Sequence, residues 1–110
     1  MGITKKEAFT EMQNQMATLT KALGHPARIA IIEHLLEINS CICGDLVDVL
    51  PLSQSTVSQH LKELKNAGLI QGSIEGTSVC YCINESGFAK ISDFFHHINT
   101  QMNYKINDCC

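Results

Sequence analysis

No apolar run in this 110-residue sequence approaches the roughly 20 residues that a membrane-spanning helix needs. The opening "MGITKKEAFTEMQ" lacks the apolar core of a signal peptide, and "MGITKKEA" lacks the hydroxyl of a myristoylation site. A cytoplasmic protein with no membrane partner is therefore expected. Charge of one sign is also scarce: the formal net charge is -3, so nothing global announces a nucleic-acid binder. Any such function must rest on a local surface. There is no Cys-x-x-Cys, no Ser-His-Asp set and no Gly-rich phosphate loop, which leaves an enzyme without machinery. With no internal repeat, low-complexity tract or linker either, residues 1–110 are expected to form one domain.

Hydrophobic residues, in contrast, reach 45%, enough for a globular core. Cysteine is abundant. Six cysteines fall in three close pairs: Cys41 and Cys43, Cys80 and Cys82, Cys109 and Cys110. Without a signal peptide, reduced thiols are the expected state, and metal or redox chemistry gains weight over a disulfide framework.

The periodicity predicts a helix over residues 5–23, with Phe9, Met12, Met16, Leu19 and Leu23 spaced by three and four. Gly24 ends it. His25-Pro26 opens a second helix to about Ile38, since proline suits a first turn. "NSCICGD" reads as a connector or short strand, and residues 44–50 as a short helix. After a turn at Pro51-Leu52, Ser53 is an N-cap for a helix that runs to about Ala67 and stops at Gly68. Leu69–Ile74 and Val79–Ile83 read as strands, with "EGTS" as the hairpin tip. A last helix over 86–103 carries Phe88, Ile91, Phe95, Ile98 and Met102 at heptad spacing. Residues 104–110 form a tail expected to fray. The order predicts a mainly α fold with a small β-hairpin wing, a winged helix-turn-helix of the α+β class. Two heptad stripes at the chain ends, 5–23 and 86–103, predict a homodimer seam; the alternative is that both face the protomer core.

The stretch "PLSQSTVSQHLKELKNAGLI" carries the functional signal. Val57, Leu61 and Leu64 share one side of its helix, and Ser55, Ser58, Gln59, Lys62 and Asn66 share the other. Gln presents a donor and an acceptor together to an adenine edge, and Ser serves in either role. Lys62 and Lys65 are placed to neutralise phosphates. A solvated face does not need hydroxyls and carboxamides; a face that enters a major groove does. The expected interface with double-stranded operator DNA comprises Ser53, Gln54, Ser55, Thr56, Ser58, Gln59, Lys62, Lys65 and Asn66, with Thr77 and Ser78 from the wing.

"LGHPARIAIIEHLLE", "CICGDLVDVLPLSQSTVSQHLKELKNAGLI" and "GTSVCYCIN" resemble the ArsR/SmtB family of winged-helix transcriptional repressors over roughly residues 15–85. The resemblance implies a homodimer that binds operator DNA through the helix of about Ser53–Ala67. It also implies release by a metal, metalloid or oxidant at cysteine, histidine or carboxylate sites. The sequence departs from the family in three places. Its wing, "GSIEGTSV", has no Lys or Arg and carries Glu75. Asp93, His96 and His97 lie on the last helix, where zinc-sensing members place ligands, but with a different spacing. Arsenic-sensing members carry thiols next to an Asp-Leu pair, and here Ile42 stands where the family places its thiol.

The residues themselves offer another arrangement of the cysteines. Positions two apart in a strand share a face. With Val79, Tyr81 and Ile83 inward, Cys80 and Cys82 point outward, and Cys41 and Cys43 do so if Ile42 is inward. A short first strand paired with the last wing strand would gather four thiols, which suits As(III), Sb(III) or Zn. Cys109 and Cys110 could join them. Packed reduced cysteines and a redox pair are the alternatives. Two other functions stay open: a thiol-based metal-binding or redox protein, and a winged helix used for protein contact.

Overall fold

The computed structural model describes residues 5–38, 42–43, 50–75 and 78–105. Helix α1 (Glu11–Leu23) begins later than the periodicity suggests. Thr10 is its N-cap: the threonine hydroxyl accepts from the Gln13 N–H, and the Gln13 side chain accepts from the Thr10 N–H, both at 3.0 Å. This reciprocal capping box fixes the start of the helix. Lys5–Ala8 is consequently a separate 3-10 turn, and not the first turn of one helix from residue 5.

Helix α2 (Pro26–Ile38) starts at the expected proline. The His25 imidazole Nδ1 accepts from the Ala27 N–H at 3.0 Å, satisfying a donor of the first turn. Strand β1 is Ile42–Cys43. The short helix expected over 44–50 lies outside the described residues save for Leu50.

Helix α3 (Gln54–Ala67) has both predicted ends. The Ser53 hydroxyl accepts from the Thr56 N–H, and Gly68 closes the helix at φ 89°, with its N–H directed to the carbonyls of Leu64 and Lys65. Only glycine takes that left-handed backbone without steric cost. Leu69 is fully buried between the helix end and the sheet: its N–H bonds the Leu64 carbonyl, and its carbonyl accepts from the Asn84 N–H.

Strands β2 (Ile70–Glu75) and β3 (Ser78–Ile83) pair antiparallel, from Glu75 opposite Ser78 to Ile70 opposite Ile83. Strand β1 adds to the other edge of β3, with Ile42 opposite Tyr81 and Cys43 opposite Cys80. The hairpin is thus part of a three-stranded sheet ordered β1-β3-β2, and the expected pairing of the first and last strands is present. At Gly72 a methyl group would strike the Cys80 carbonyl and the Tyr81 ring, so the crossing of β2 and β3 there admits no side chain.

Helix α4 (Glu85–Lys105) runs two residues beyond the expected 103, while 106–110 lie outside the described residues. The Asn84 side chain accepts from the Ser86 N–H and hydroxyl at its start. Gly87 lies against the Gly68 carbonyl so closely that a Cβ has no room.

The core joins Met16, Leu19 and Ala22 of α1, Ile31, Ile32 and Leu35 of α2, Val57, Leu61 and Leu64 of α3, Leu69, Ile70, Tyr81 and Ile91. Each large side chain buried there contributes on the order of 1.5–3 kcal/mol, which fixes α3 against α1 and α2. The two terminal stripes divide. Met16, Leu19 and Ile91, expected at a seam between copies, are buried within the single chain, because α1 packs on α3 and α4. Leu23, Phe88 and Ile98 are half-buried. Phe9, Met12, Phe95 and Met102 remain 51–72% exposed.

Candidate nucleic-acid interface

Helix α3 has the two faces its sequence predicts. Val57, Leu61 and Leu64 are buried, and Ser55, Ser58, Gln59, Lys62 and Asn66 are exposed on the other side. Ser53, Gln54, Thr56 and Lys65 are exposed as well. At the helix start the Ser53 hydroxyl lies 3.2 Å from that of Ser55 and 3.0 Å from that of Thr56. Three hydroxyls at a positive helix end make a surface suited to phosphate oxygens, and their small side chains let a backbone approach.

One turn on, the amide of Gln59 is already oriented. Its Nε2 donates to a Glu63 carboxylate oxygen at 3.0 Å. That leaves the second Nε2 hydrogen and the Oε1 acceptor for a partner, the pair an adenine edge requires. Glu63 was not among the residues that the composition of this face brought forward. Its relation to Gln59 at i, i+4 was visible in the sequence.

A second group missed by the sequence lies beneath this surface. His60 projects from the inner side of α3 and is 8% exposed. Its Nδ1 accepts from Arg28 Nε at 3.1 Å, and its ring centroid is 4.3 Å from that of His25. Arg28 also donates through Nη1 to the Ala22 carbonyl at the end of α1, where a cation suits the helix dipole. Burial first, then His25 and Arg28, push the His60 pKa below its ordinary value, with Glu63 acting in the opposite sense. The cluster ties the start of α2 and the end of α1 to the inner side of α3. Position 60 falls on the same helical arc as Val57, Leu61 and Leu64, which was the available signal.

Among the wing positions, Thr77 lies outside the described residues, and Ser78 is the register partner of Glu75. Asp93, His96 and His97 are all exposed on α4. Cys80 and Cys82 are half-buried on β3, and both are disulfide-bonded, which departs from the reduced state expected. The expected pairing of the first strand with the last is present, and its register sets Cys43 opposite Cys80. Cys41, Cys109 and Cys110 lie outside the described residues. Among the described residues, no three His, Cys, Asp or Glu side chains gather to hold a metal ion, and no helix is long and apolar enough to cross a membrane.

Residues 25–71, from the end of α1 to the start of β2, match the model of the bacterial regulatory protein arsR family. The chain is 41% identical over 81 residues to the HTH-type transcriptional repressor SmtB of Mycobacterium tuberculosis, covering 74% of this chain and 59% of that relative's length. It is 32% identical over 96 residues to the transcriptional activator HlyU of Vibrio cholerae, covering 84% of this chain and 88% of HlyU. In fold it is similar to an ArsR-like transcriptional regulator from Rhodococcus sp. RHA1, with a TM-score of 0.71 at 19% identity over 90% of this chain and 92% of that one.

Proposed function

This chain belongs to the arsR family of bacterial regulatory proteins, and on that premise we propose that it is a homodimeric, sequence-specific regulator of transcription that reads double-stranded operator DNA with α3. One observation carries the reading. The helix that the family model covers is anchored by Val57, Leu61 and Leu64 and turns Ser55, Ser58, Gln59, Lys62 and Asn66 outward. Base edges call for such a mixture of hydroxyl, carboxamide and ammonium groups; bulk water does not. Positive charge on this face is limited to Lys62 and Lys65, and the chain as a whole is acidic. Selectivity for sequence therefore has to come from the polar groups more than from general attraction to phosphate. Repression follows the naming of the mycobacterial relative; the Vibrio relative is named an activator.

The homodimer has its own support. Phe9, Met12, Phe95 and Met102 are large apolar side chains left exposed on the two terminal segments. Phe9, just before the N-cap of α1, and Leu19 of α1 also line an open cleft of about 550 Å³ with Lys90 of α4. A second copy that covers these residues removes them from water and places two α3 helices on one duplex.

The deciding experiment is selection of duplexes from a random pool by the purified chain, followed by fluorescence anisotropy with the best sequence. Saturable binding that prefers this duplex by about 10³ or more over a scrambled one supports the reading. Equal binding to both, or none, favours a winged helix used for protein contact or a thiol protein.

An effector is the second part of the proposal. Thiolates at Cys41, Cys43, Cys80 and Cys82, with Cys109 and Cys110, form a set that soft ions such as As(III), Sb(III) or Zn select. A disulfide sulfur is not a thiolate ligand. The bonding of Cys80 and Cys82 therefore favours an oxidant over a metal as the signal.

A further inference from the structure

His60 and Gln59 are neighbours in sequence that serve different sides of α3. Gln59 is exposed on the reading face, while His60 is turned about 100° away from it and is 8% exposed. Behind the reading face the imidazole Nδ1 accepts from Arg28 Nε at 3.1 Å. A guanidinium keeps all its hydrogens, so Nδ1 carries none and the neutral ring bears its hydrogen on Nε2. Arg28 uses a second donor, Nη1, on the carbonyl of buried Ala22 at 3.2 Å. One guanidinium thus joins the end of α1 to the inner side of α3. The His25 ring, just before α2, lies 4.3 Å from that of His60 between centroids, tilted by 49°.

We propose that His60 is a positioning residue for the reading helix, and that a proton taken up by its imidazole in the folded chain weakens selective binding to operator DNA through Glu63. The effect on DNA rests on the regulator reading above.

The charges around the ring decide what a proton does there. Among the described residues, the groups whose charge acts on His60 are His25, Arg28 and Glu63, and α1 meets the cluster at the neutral Ala22 carbonyl. Burial, then His25 and Arg28, disfavour the imidazolium, and Glu63 favours it. A proton from solvent adds to Nδ1, because Nε2 already holds one. Two donors and two like charges then face each other where a hydrogen bond of 3.1 Å stood. Of the three charged neighbours, Glu63 is the one that attracts the imidazolium.

Glu63 also holds Gln59, since its carboxylate accepts from Gln59 Nε2 at 3.0 Å. It follows His60 by three positions and Gln59 by four, so it neighbours both on the helix. A protonated His60 draws this carboxylate and competes with Gln59 for it. The carboxamide loses the partner that fixes where its donor and acceptor point, and the ring loses its tie to Arg28. By linkage, a duplex that needs the fixed carboxamide expels the proton. Selective binding is therefore complete above about pH 6.5 and declines as pH falls through the lowered folded value of His60. Net charge alone acts the other way, because the five histidines gain charge on acidification and raise general attraction to phosphate.

The test uses the full chain and fluorescence anisotropy with the selected and a scrambled duplex, from about pH 7.5 to about pH 5.5, with the fold followed by circular dichroism throughout. The ratio of selected to scrambled affinity is expected to fall about tenfold or more in the parent. His60→Gln keeps an acceptor for Arg28 but does not titrate, and Glu63→Gln keeps an acceptor for Gln59 but carries no charge. Both are expected to hold a nearly constant ratio. Should either variant not fold, the parent answers alone. Its His60 ring, followed through the Cε1–H by proton NMR, is expected to titrate at lower pH with the selected duplex bound than without it. A constant ratio in the parent, an equal fall in His60→Gln, a fall that tracks loss of the circular dichroism signal, or the same ring titration in free and bound chain overturns the proposal. A chain that prefers no duplex at neutral pH overturns the regulator reading as well. A preference at neutral pH that stays flat on acidification overturns this proposal alone.

Discussion

Arg28 Nε donates to Nδ1 of His60 at 3.1 Å, so these two side chains are donor and acceptor only while the imidazole is neutral. Burial and the neighbouring His25 and Arg28 hold the His60 pKa below 6.5, against the opposing pull of Glu63. The unfolded chain therefore binds a proton that the folded chain resists. Stability from this site is complete above about pH 6.5 and declines as pH falls toward the lowered folded value. The thermal midpoint of the parent is expected to drop between about pH 7.5 and pH 5.5 by more than that of His60→Gln, which keeps an acceptor for Arg28 but does not titrate. Equal drops in parent and variant would assign the loss to other groups.

Gln59→Ala is expected to cost about 1–3 kcal/mol on the best duplex and to broaden base preference at one position. Lys62→Ala is expected to weaken all duplexes alike and to reduce the salt dependence by about one phosphate contact. Anisotropy titrations over several salt concentrations separate the two effects. Native affinity and preference in both variants would remove α3 from the interface.

Glu63→Ala frees the Gln59 amide and removes a negative charge one turn from the reading surface. Binding to unrelated duplexes is expected to rise while discrimination falls, because attraction to phosphate improves and the carboxamide loses its fixed orientation. The ratio of specific to scrambled affinity is the measurement. An unchanged ratio would show that the Gln59–Glu63 hydrogen bond has no part in selection.

Met12→Glu with Phe95→Glu is expected to give a folded monomer by light scattering, since both side chains are exposed in the single chain. Ile91→Glu is expected to unfold the protein, because it places a charge in the core at several kcal/mol. A folded dimer in the double variant would place the seam elsewhere.

The sequence made α3 legible almost to the residue, because each of its signals acts locally. Ser53 caps, Gly68 terminates, and the 3.6-residue period separates Val57, Leu61 and Leu64 from the polar face. The start of α1 was misread because the heptad stripe continues through Phe9, while the Thr10–Gln13 capping box breaks the helix there. Periodicity shows that a face is apolar but not what covers it. Met16, Leu19 and Ile91 therefore looked the same as Phe9, Met12 and Phe95 until α1 was packed on α4. His60 escaped because its partners, Arg28 and His25, lie more than thirty residues away in sequence. The pairing of β1 with β3 was foreseen from the fold pattern, but the disulfide bonding of Cys80 and Cys82 depends on register, which no single strand discloses.

Gly87 meets the Gly68 carbonyl at the point where α4 leaves the corner formed by α3 and β2. With 21 residues at about 1.5 Å each, α4 is a rod of roughly 31 Å pivoted at that point. Even the methyl of an alanine at 87 would act as a shim under the fulcrum. A tilt of only about 5° carries the far end of such a rod through about 3 Å. Were that rod to span two copies, the shim would alter the gauge between paired reading helices, a length that duplex DNA fixes at about 34 Å per turn. In such an assembly the absence of a side chain at this corner would be a matter of measurement, setting how far apart two half-sites can be.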